Sequence, residues 1–484
     1  MSKKGGGRRS LTPPTPEVRR LGDLFKKHFG RAPLSVLPLK GDASDRRLFK
    51  LSGGGRDALG VFNEDKAENR AFLVFSRHFR KSGLSVPEIY EEDPEGRVYI
   101  EEYLGDTTLL RLLSRTRRGA VVGAPAEGVY KKAAETLPRF QISAGRTLDY
   151  GVCYPNAAFD RRSILWDLNY FKYYFLRLAG VLFDEESLQN DFERFAAFLL
   201  KADRRFFLYR DFQSRNIMVR EGRPWFIDYQ GGRKGALQYD IASLLLDAKA
   251  DLPEDFRAEL LKVYIKAASR AMPLDREAFM RHYPGYAYVR IMQAMGTYGL
   301  RGFYERKPLF LQSIPYAVRN IENLMREWGP PEGVPELEKV FKEIVASPRL
   351  RVFGKARLDL RVRVQSFSYR EGLPGDDRGH GGGYVFDCRH LPNPGRIPKL
   401  TDADGNDPEV SSFLRRQPAV RGFMDHARSL VLATVENYRK RNFTDLFVAF
   451  GCTGGRHRSV YCAEALARDL RRKGLQVDVL HRDL

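Results

Sequence analysis

Three oxygen-bearing side chains are spaced for phosphoryl transfer in Y-R-D-F-Q-S-R-N-I-M and in the W-F-I-D-Y-Q segment that follows it. Asp211 and Asn216 bracket a short loop, and Asp228 ends the next predicted strand. Phosphoryl transfer needs a base for the acceptor hydroxyl and oxygen ligands for a magnesium ion that bridges the nucleotide phosphates. One such residue alone is usually a turn or capping residue, but three at this spacing favour a kinase-like site. We therefore predict Asp211 as the catalytic base and Asn216 and Asp228 as metal ligands.

These segments resemble the aminoglycoside/choline phosphotransferase family, a branch of the protein-kinase-like fold, over roughly residues 20 to 328. Within that family they are most similar to the anomeric kinases of cell-wall sugar recycling, which phosphorylate the 1-hydroxyl of N-acetylmuramate and N-acetylglucosamine. The blocks that carry the likeness are G-D-A-S-D-R-R-L-F from Gly41, E-E-Y-L-G-D from Glu101, I-D-Y-Q and Y-D-I-A-S-L-L. The resemblance implies a kinase that uses ATP and Mg²⁺ and phosphorylates an amino sugar.

The resemblance also implies where the nucleotide binds. The third predicted strand, A-L-G-V-F-N, lacks the lysine that protein kinases place on the phosphates. Arg46 and Arg47 are the candidates to supply that charge, with exposed sheet arginines as the alternative. Adenine is expected against the backbone of Glu102, Tyr103 and Leu104, and the predicted ATP site also includes the turn formed by Gly41, Asp42, Ala43 and Ser44.

Several residues near these blocks have an ordinary structural alternative. Tyr209 occupies the place of the usual His two residues before the catalytic Asp. Asp240 either caps its own helix or anchors the catalytic loop. Asp160 and Arg161 are candidates to bind hydroxyl and carboxylate groups of the sugar, but a solvated loop with a helix N-cap explains them equally well.

A second candidate site follows the apolar strand L-F-V-A-F near the C terminus, where G-C-T-G-G-R-H-R-S-V leads into a helix. Such a turn presents backbone N–H groups and a helix N-terminus to one point, and basic side chains add positive charge, so an anion site is predicted. Cys452 followed by Arg458 and Ser459 also reproduces the phosphate loop of cysteine phosphatases, although Gly451 lies where those enzymes usually carry His.

The stronger resemblance of this region is to the C-terminal domain of the RapZ family of RNase adapters, over roughly residues 360 to 484. It rests on Y-V-F-D-C-R-H-L-P-N-P from Tyr384, G-C-T-G-G-R-H-R-S-V and the terminal H-R-D-L. That family domain binds an amino-sugar phosphate, and in RapZ it also carries small-RNA binding. The resemblance implies that phosphate is contacted by Thr453, Gly454, Gly455, His457 and Arg458, with Asp387, Arg389 and Asn393 in the same pocket. The predicted site also includes Cys452, Arg456 and Ser459 of the same turn.

The elements that must position these residues form two lobes and a further domain. Strand-like segments around one helix predict a small sheet-rich lobe at about 21–104, and amphipathic helices predict a helical lobe at about 105–328. The G-P-P-E-G segment from Gly329 opens a predicted linker over 329–357, and alternating strands and helices follow over 358–484. The predicted fold class is therefore an α+β two-lobed protein-kinase-like fold followed by a separate α/β domain.

The net charge of +21 over 484 residues indicates either phosphate-bearing partners or simply a solvated basic surface. It is densest at the two ends: residues 1–20, predicted as a flexible arm, hold six basic and one acidic side chain, and residues 351–484 hold 24 and 16. RNA is therefore a possible partner beside the amino-sugar substrate and an amino-sugar phosphate. The four cysteines show no metal-ligand spacing, and neither a membrane span nor a secretory signal is evident, so a cytoplasmic location is expected.

Overall fold

The computed structural model describes residues 15–39, 46–353, 359–375, 383–440 and 443–484. The chain divides into two compact units. Unit 1 comprises the residues up to Gly296 together with Ser313–Arg351, and unit 2 comprises Thr297–Gln312 and Val352–Leu484.

Unit 1 begins with an antiparallel five-stranded sheet in the order β1-β2-β3-β5-β4. Alternate side chains of β2, such as Phe49 and Leu51, are buried, as expected for a sheet with one covered face. Leu21 and Phe25 from the first helix are fully buried in the same core. The elements of this lobe are α1 (Pro16–Phe29), β1 (Ser35–Leu39), β2 (Arg47–Gly53), β3 (Arg56–Phe62), α2 (Lys66–Lys81), β4 (Ile89–Glu92) and β5 (Val98–Glu102).

The rest of unit 1 is mainly helical, with two short antiparallel strand pairs, β6 with β9 and β7 with β8, around the candidate catalytic segments. The strands are β6 (Phe206–Leu208), β7 (Ile217–Arg220), β8 (Arg223–Phe226) and β9 (Arg233–Gly235). The helices are α3 (Leu109–Thr116), α4 (Ala124–Pro138), α5 (Arg161–Tyr170), α6 (Arg177–Ala179), α7 (Glu185–Leu199), α8 (Gln238–Leu245), α9 (Glu254–Ala271) and α10 (Arg276–Tyr298), followed by α11 (Pro308–Leu311) of unit 2 and then α12 (Ile314–Trp328), α13 (Pro335–Ala346) and α14 (Pro348–Val352).

Unit 2 is built on a parallel four-stranded sheet in the order β11-β12-β10-β13. Every residue of the central strand β12 is buried, which is typical of a parallel sheet whose faces are covered. The carboxyl ends of parallel strands lie at one edge, so the ends of β11 and β12 bring Asp387 and Cys452 to the same side. The elements are β10 (Arg361–Ser368), β11 (Gly383–Asp387), α15 (Pro408–Arg416), α16 (Pro418–Lys440), β12 (Asp445–Cys452), α17 (Arg458–Arg472) and β13 (Gln476–His481).

Three of the predicted boundaries are wrong. The arm predicted over residues 1–20 overlaps α1, which starts at Pro16 because its apolar face packs on the sheet. The linker predicted over 329–357 contains α13 and α14, and α13 buries the helically spaced residues Leu337, Val340, Phe341 and Ile344. Thr297–Gln312, predicted within the kinase domain, groups with unit 2. The sequence did contain a signal for α13, because apolar residues recur at helical spacing after the Gly-Pro break.

None of the helices in the described ranges is long and apolar enough to cross a membrane.

We expect Phe341→Ala to destabilise unit 1 by about 3–5 kcal/mol, because the ring is fully buried and stacks on Tyr288 at a centroid distance of 5.1 Å. Urea unfolding followed by tryptophan fluorescence reports on unit 1, since Trp166, Trp225 and Trp328 all lie in it. Lys342→Ala, on the exposed side of the same helix, is the control and should change little. Equal effects of the two substitutions would mean that α13 is not part of this core.

Candidate functional site

The loop that carries Asp211 is anchored by hydrogen bonds to the buried carboxylate of Asp240. Its two oxygens accept the backbone N–H groups of Tyr209 at 2.8 Å and Arg210 at 2.9 Å. Arg210 has a φ of 82°, a left-handed conformation that a non-glycine residue adopts only when its surroundings impose it. Burial raises the pKa of Asp240 to about 7, while the hydrogen bonds from the two amides oppose that rise. Asp240 therefore anchors the catalytic loop, which is one of the two roles expected for it.

The spacing of Asp211, Asn216 and Asp228 does bring the three residues together. The amide nitrogen of Asn216 donates to the backbone carbonyl of Asp211 at 2.9 Å and to Oδ2 of Asp228 at 2.8 Å. The Gln230 amide donates to the other carboxylate oxygen of Asp228 at 2.9 Å. Tyr209, in the place of the usual His, donates its hydroxyl to the carbonyl of Ile227 at 2.7 Å and so links the two catalytic segments.

This cluster has the donor set of a magnesium site. The carbonyl oxygen is the atom of the Asn216 amide that can bind a cation, and the two hydrogen bonds of the NH₂ group fix its orientation. Burial raises the pKa of Asp228, and the nearby Arg46 counteracts the rise. One amide oxygen and one carboxylate beside substrate phosphates are what Mg²⁺ commonly takes from proteins. The described residues hold no group of three or more His, Cys, Asp or Glu side chains suited to a metal, so the fit is to Mg²⁺ and not to an all-protein site.

The structure separates the two candidate arginines. Arg46 is only 12% exposed, and its guanidinium lies 2.8 Å from Glu68 of α2 and 3.4 Å from Asp228. Arg47 instead pairs with Glu17 of α1 and lies over the Phe62 ring at 4.3 Å. Arg46 thus joins α2 to the candidate metal ligand, and Arg47 does not reach it. The predicted residues Gly41, Asp42, Ala43 and Ser44 lie outside the described ranges.

The segment expected to hold adenine continues β5. Glu102 pairs with Arg220 at 2.6 Å, and the hydroxyl of Tyr103 donates to Asp106. Leu104 is buried. Beside them Glu101 is 5% exposed, burial raises its pKa to about 8, and its Oε2 has no hydrogen-bond partner among the described residues.

The sugar-binding candidates have structural roles in the folded chain. Asp160 caps α5 by accepting the N–H of Ser163 at 2.8 Å, and Arg161 pairs with Glu193 on the surface. Six residues after Arg161, Asp167 makes a bidentate ion pair with Arg210, with both distances 2.7 Å. Helix α5 therefore does contribute to the catalytic loop, but through Asp167 in its second half.

Sequence reasoning missed a second arginine at this loop. Arg290 of α10 places Nη2 4.0 Å from Oδ1 of Asp211. Glu68, the partner of Arg46, was missed as well. No sequence signal marks either residue, because each is an ordinary charged residue in a helix. Only the packing of that helix places the side chain at the site.

The second candidate site lies between β12 and α17. The hydroxyl of Ser368 donates to the carbonyl of Thr453 at 2.8 Å, and Gly455 adopts a φ of 71°. No described atom lies within 4 Å of the place where a Cβ at Gly454 would be. The loop therefore leaves room in front of the N-terminus of α17, which begins at Arg458.

Several side chains predicted to contact phosphate are held by backbone carbonyls. Arg458 is 6% exposed, and its Nη1 donates to the carbonyls of Arg389 at 2.7 Å and Leu391 at 3.1 Å. Nε2 of His457 lies 3.0 Å from the carbonyl of Leu400, and Arg456 donates to that of Asp402 at 3.0 Å. These contacts commit the side chains of Arg456, His457 and Arg458 to supporting the loop.

The pocket residues expected from β11 lie beside this loop. Arg389 pairs with Asp387 at 2.7 Å and stacks on Tyr369 at 3.9 Å from the ring centroid. Asn393 caps a short turn by accepting the N–H of Gly395 at 3.2 Å.

The environment of Cys452 argues against the phosphatase alternative. Its thiol is 3% exposed and lies 3.1 Å from the hydroxyl of Ser459, and Nη1 of the arginine that would clamp phosphate is committed to two carbonyl groups. An attacking thiolate needs access to the phosphorus atom. Cys452 lacks that access.

Comparison with known proteins identifies both parts of the chain. Residues 35–281, about half of the sequence, match the phosphotransferase enzyme family, so the chain belongs to that family. The family is one of phosphotransferase enzymes, and the predicted two-lobed kinase-like fold is confirmed. Residues 360–484 match the RapZ C-terminal domain, which confirms the second resemblance.

The curated relatives match about a quarter to a third of this chain. A nucleotide-binding protein of Limosilactobacillus reuteri is 42% identical over 126 residues, which are 26% of this chain and 42% of that protein. The RNase adapter protein RapZ of Serratia proteamaculans is 41% identical over 147 residues, 30% of this chain and 50% of that protein. The chain therefore spans half or less of the length of these relatives.

Among solved structures, choline kinase LicA from Streptococcus pneumoniae is 16% identical, with a TM-score of 0.43, covering 64% of this chain and 99% of that one.

The raised pKa of Glu101 predicts a pH-dependent stability. Between the ordinary carboxyl value of 4.5 and about pH 8, folded unit 1 keeps a proton that the unfolded chain has released, so stability falls as pH rises through this window. Glu101→Gln removes this dependence. Urea unfolding followed by tryptophan fluorescence should show the variant gaining stability relative to the parent as the pH is raised across the window. Parallel curves for the two proteins would show that Glu101 is already ionised at neutral pH.

Proposed function

We propose that unit 1 transfers the γ-phosphoryl group of ATP to the anomeric hydroxyl of an amino sugar of the N-acetylmuramate or N-acetylglucosamine type. The observation that carries the proposal is the Asn216 amide, which joins the backbone of Asp211 to the carboxylate of Asp228. This bridge sets the base and the metal ligand side by side, as phosphoryl transfer between a hydroxyl and a metal-bound nucleotide requires.

Each residue then has a defined task. Asp211, 38% exposed, accepts the proton of the attacking hydroxyl. Asn216 and Asp228 hold Mg²⁺, which when bound neutralises charge on the nucleotide phosphates. Arg46 adds a positive charge next to Asp228 in place of the absent strand lysine, and its pairing with Glu68 keeps it there. The hinge at Glu102 to Leu104 holds adenine.

The choice of acceptor rests on the likeness of four sequence blocks to the anomeric kinases and on the nature of the second domain. We infer that unit 2 binds an amino-sugar phosphate at the loop between β12 and α17, where backbone N–H groups and the helix N-terminus favour an anion. Both units would then recognise the same class of metabolite, in the cytoplasm.

A second candidate function is that of an RNA-binding adapter. It is favoured by the match to half of the length of RapZ adapters and by the excess of basic residues in 351–484. Phosphate contacts release counterions, so RNA binding by the chain should weaken steeply as salt is raised. Binding that is absent at low salt would remove this candidate.

Asp211→Asn should reduce sugar-dependent ADP formation by at least about 100-fold, because the amide cannot accept the proton. A coupled assay over a panel of N-acetylated amino sugars, with and without glucosamine 6-phosphate, measures the effect and any communication between the sites. Asp203→Asn, at an exposed carboxylate paired with Arg205, is the matched control and should keep full activity. Turnover that survives Asp211→Asn would rule out the assigned base.

Arg46→Ala should raise the KM for ATP by about tenfold or more, since a charge-assisted contact to phosphate is lost. Arg47→Ala is a neighbouring control and should leave the KM for ATP unchanged, because Arg47 faces Glu17. Initial rates at varied ATP and saturating sugar distinguish the two. If Arg47→Ala has the larger effect, the assignment of Arg46 is incorrect.

Gly454→Ala should weaken binding of glucosamine 6-phosphate by about tenfold, or on the order of 1.4 kcal/mol, by placing a methyl group in the open space of the loop. Titration calorimetry on the full chain gives the dissociation constant. Gly422→Ala in α16, where a Cβ also meets no described atom, is the control. An unchanged dissociation constant in Gly454→Ala would place the ligand elsewhere.

A further inference from the structure

The guanidinium of Arg290 is buried beside the catalytic base and has neutral hydrogen-bond partners. Its side chain is 7% exposed. Nε donates to the hydroxyl of Ser243 on α8 at 2.8 Å, and Nη1 donates to the side-chain carbonyl of Gln293 at 2.7 Å. Two contacts from two helices fix the plane of the guanidinium, so Nη2 has a defined position.

That position faces Asp211 across a gap. Nη2 lies 4.0 Å from Oδ1 of Asp211, which is beyond hydrogen-bond distance. A single oxygen atom placed at about 2.8–3.0 Å from each of them fits such a separation. Because Asp211 is 38% exposed, a ligand can reach this place from the solvent side. The acceptor hydroxyl must approach Asp211, so its neighbouring oxygen atoms come within reach of Arg290.

The charge around the loop favours electron-rich ligands. Arg210 is neutralised by its bidentate pair with Asp167. Arg233, 7% exposed, donates only to the carbonyls of Gly231 at 3.0 Å and Tyr154 at 3.4 Å, and burial together with the nearby Arg210 lowers its pKa. Among the described residues, no carboxylate oxygen lies within hydrogen-bond distance of Arg290 or Arg233. A buried guanidinium that is hydrogen-bonded only to neutral groups, with the carboxylate of Asp211 4.0 Å from Arg290, is incompletely compensated. An oxygen-rich ligand therefore relieves the cost of burying the charge, and an ammonium group adds to it.

We propose that Arg290 binds an oxygen of the phosphoryl acceptor beside the reacting hydroxyl and selects anionic or neutral acceptors over cationic amines. This inference rests on the proposed function, because it specifies the acceptor of that same site. Arg290 is then an acceptor-binding residue, and the chain prefers sugars that carry a carboxylate or an acylated amine.

Three acceptors that differ in charge test the inference: N-acetylmuramate, N-acetylglucosamine and glucosamine. They are compared at about pH 6.5, where the free amine of glucosamine is protonated. The variants are Arg290→Gln, which removes the charge, and Arg290→Lys, which keeps it. Arg281→Gln, an exposed arginine of the same helix paired with Glu277, is the control. The kcat and KM for each acceptor, and the KM for ATP, are measured for every protein.

The wild type should prefer N-acetylmuramate to glucosamine in kcat/KM. In Arg290→Gln this ratio should fall by at least about tenfold, through a raised KM for N-acetylmuramate, while the KM for ATP stays within about twofold. Arg290→Lys should retain most of the preference, and Arg281→Gln all of it.

Two results would overturn the inference alone. One is an unchanged acceptor ratio in Arg290→Gln, and the other is an equal loss of kcat for all acceptors with unchanged KM values, which would make Arg290 a support for Asp211. If the wild type phosphorylates none of the three sugars, the proposed function itself fails, and the role of Arg290 fails with it.

Discussion

The buried carboxylate of Asp240 is the contact on which the catalytic loop of unit 1 depends. It accepts the N–H groups of Tyr209 and Arg210 and the side-chain amide of Gln141, the last at 2.8 Å. These bonds fix the backbone in which Arg210 takes its left-handed φ. Asp211 follows directly in the chain, so its direction is set by a distant residue in α8.

The same loop is fixed at its other end by a second buried network. The backbone N–H and the hydroxyl of Ser214 both donate to Asp247, and Tyr130 donates to the Ser214 hydroxyl at 2.8 Å. Buried polar groups that are fully hydrogen-bonded restrict a segment to one conformation. Asn216 is thereby placed to bridge Asp211 and Asp228, and a short irregular segment acquires the precision that the proposed chemistry needs.

Both candidate sites use the backbone as much as side chains. In unit 2 the glycine-rich loop is supported from behind by arginine and histidine side chains that hydrogen-bond to carbonyl groups. The basic residues that made this segment conspicuous in the sequence therefore serve partly as its scaffold. A count of charges in a motif indicates that an anion site is present, but it does not identify the atoms that touch the anion.

Much of the fold followed from local patterns. The amphipathic helices predicted in 105–328 include the observed α9 (Glu254–Ala271), and the strand-like segments predicted in 21–104 include β2 (Arg47–Gly53). The errors came where one local signal outweighed another: the Gly-Pro-Pro segment concealed α13, and the glycine- and proline-rich start concealed α1. In both cases the helix is stabilised by packing on the core that it covers. A local sequence pattern carries no information about that packing.

The sequence by itself determined the chemistry of the site, because Asp211, Asn216 and Asp228 lie close together in the chain and their spacing is preserved by one loop and one hairpin. Tertiary structure alone decided which cations lie beside that site. Arg46 and Arg47 are neighbours in the chain, and successive side chains of an extended segment point to opposite faces, so only packing against α2 or α1 distinguishes them. Arg290 is distant in sequence and reaches Asp211 only because α10 packs beside the catalytic loop.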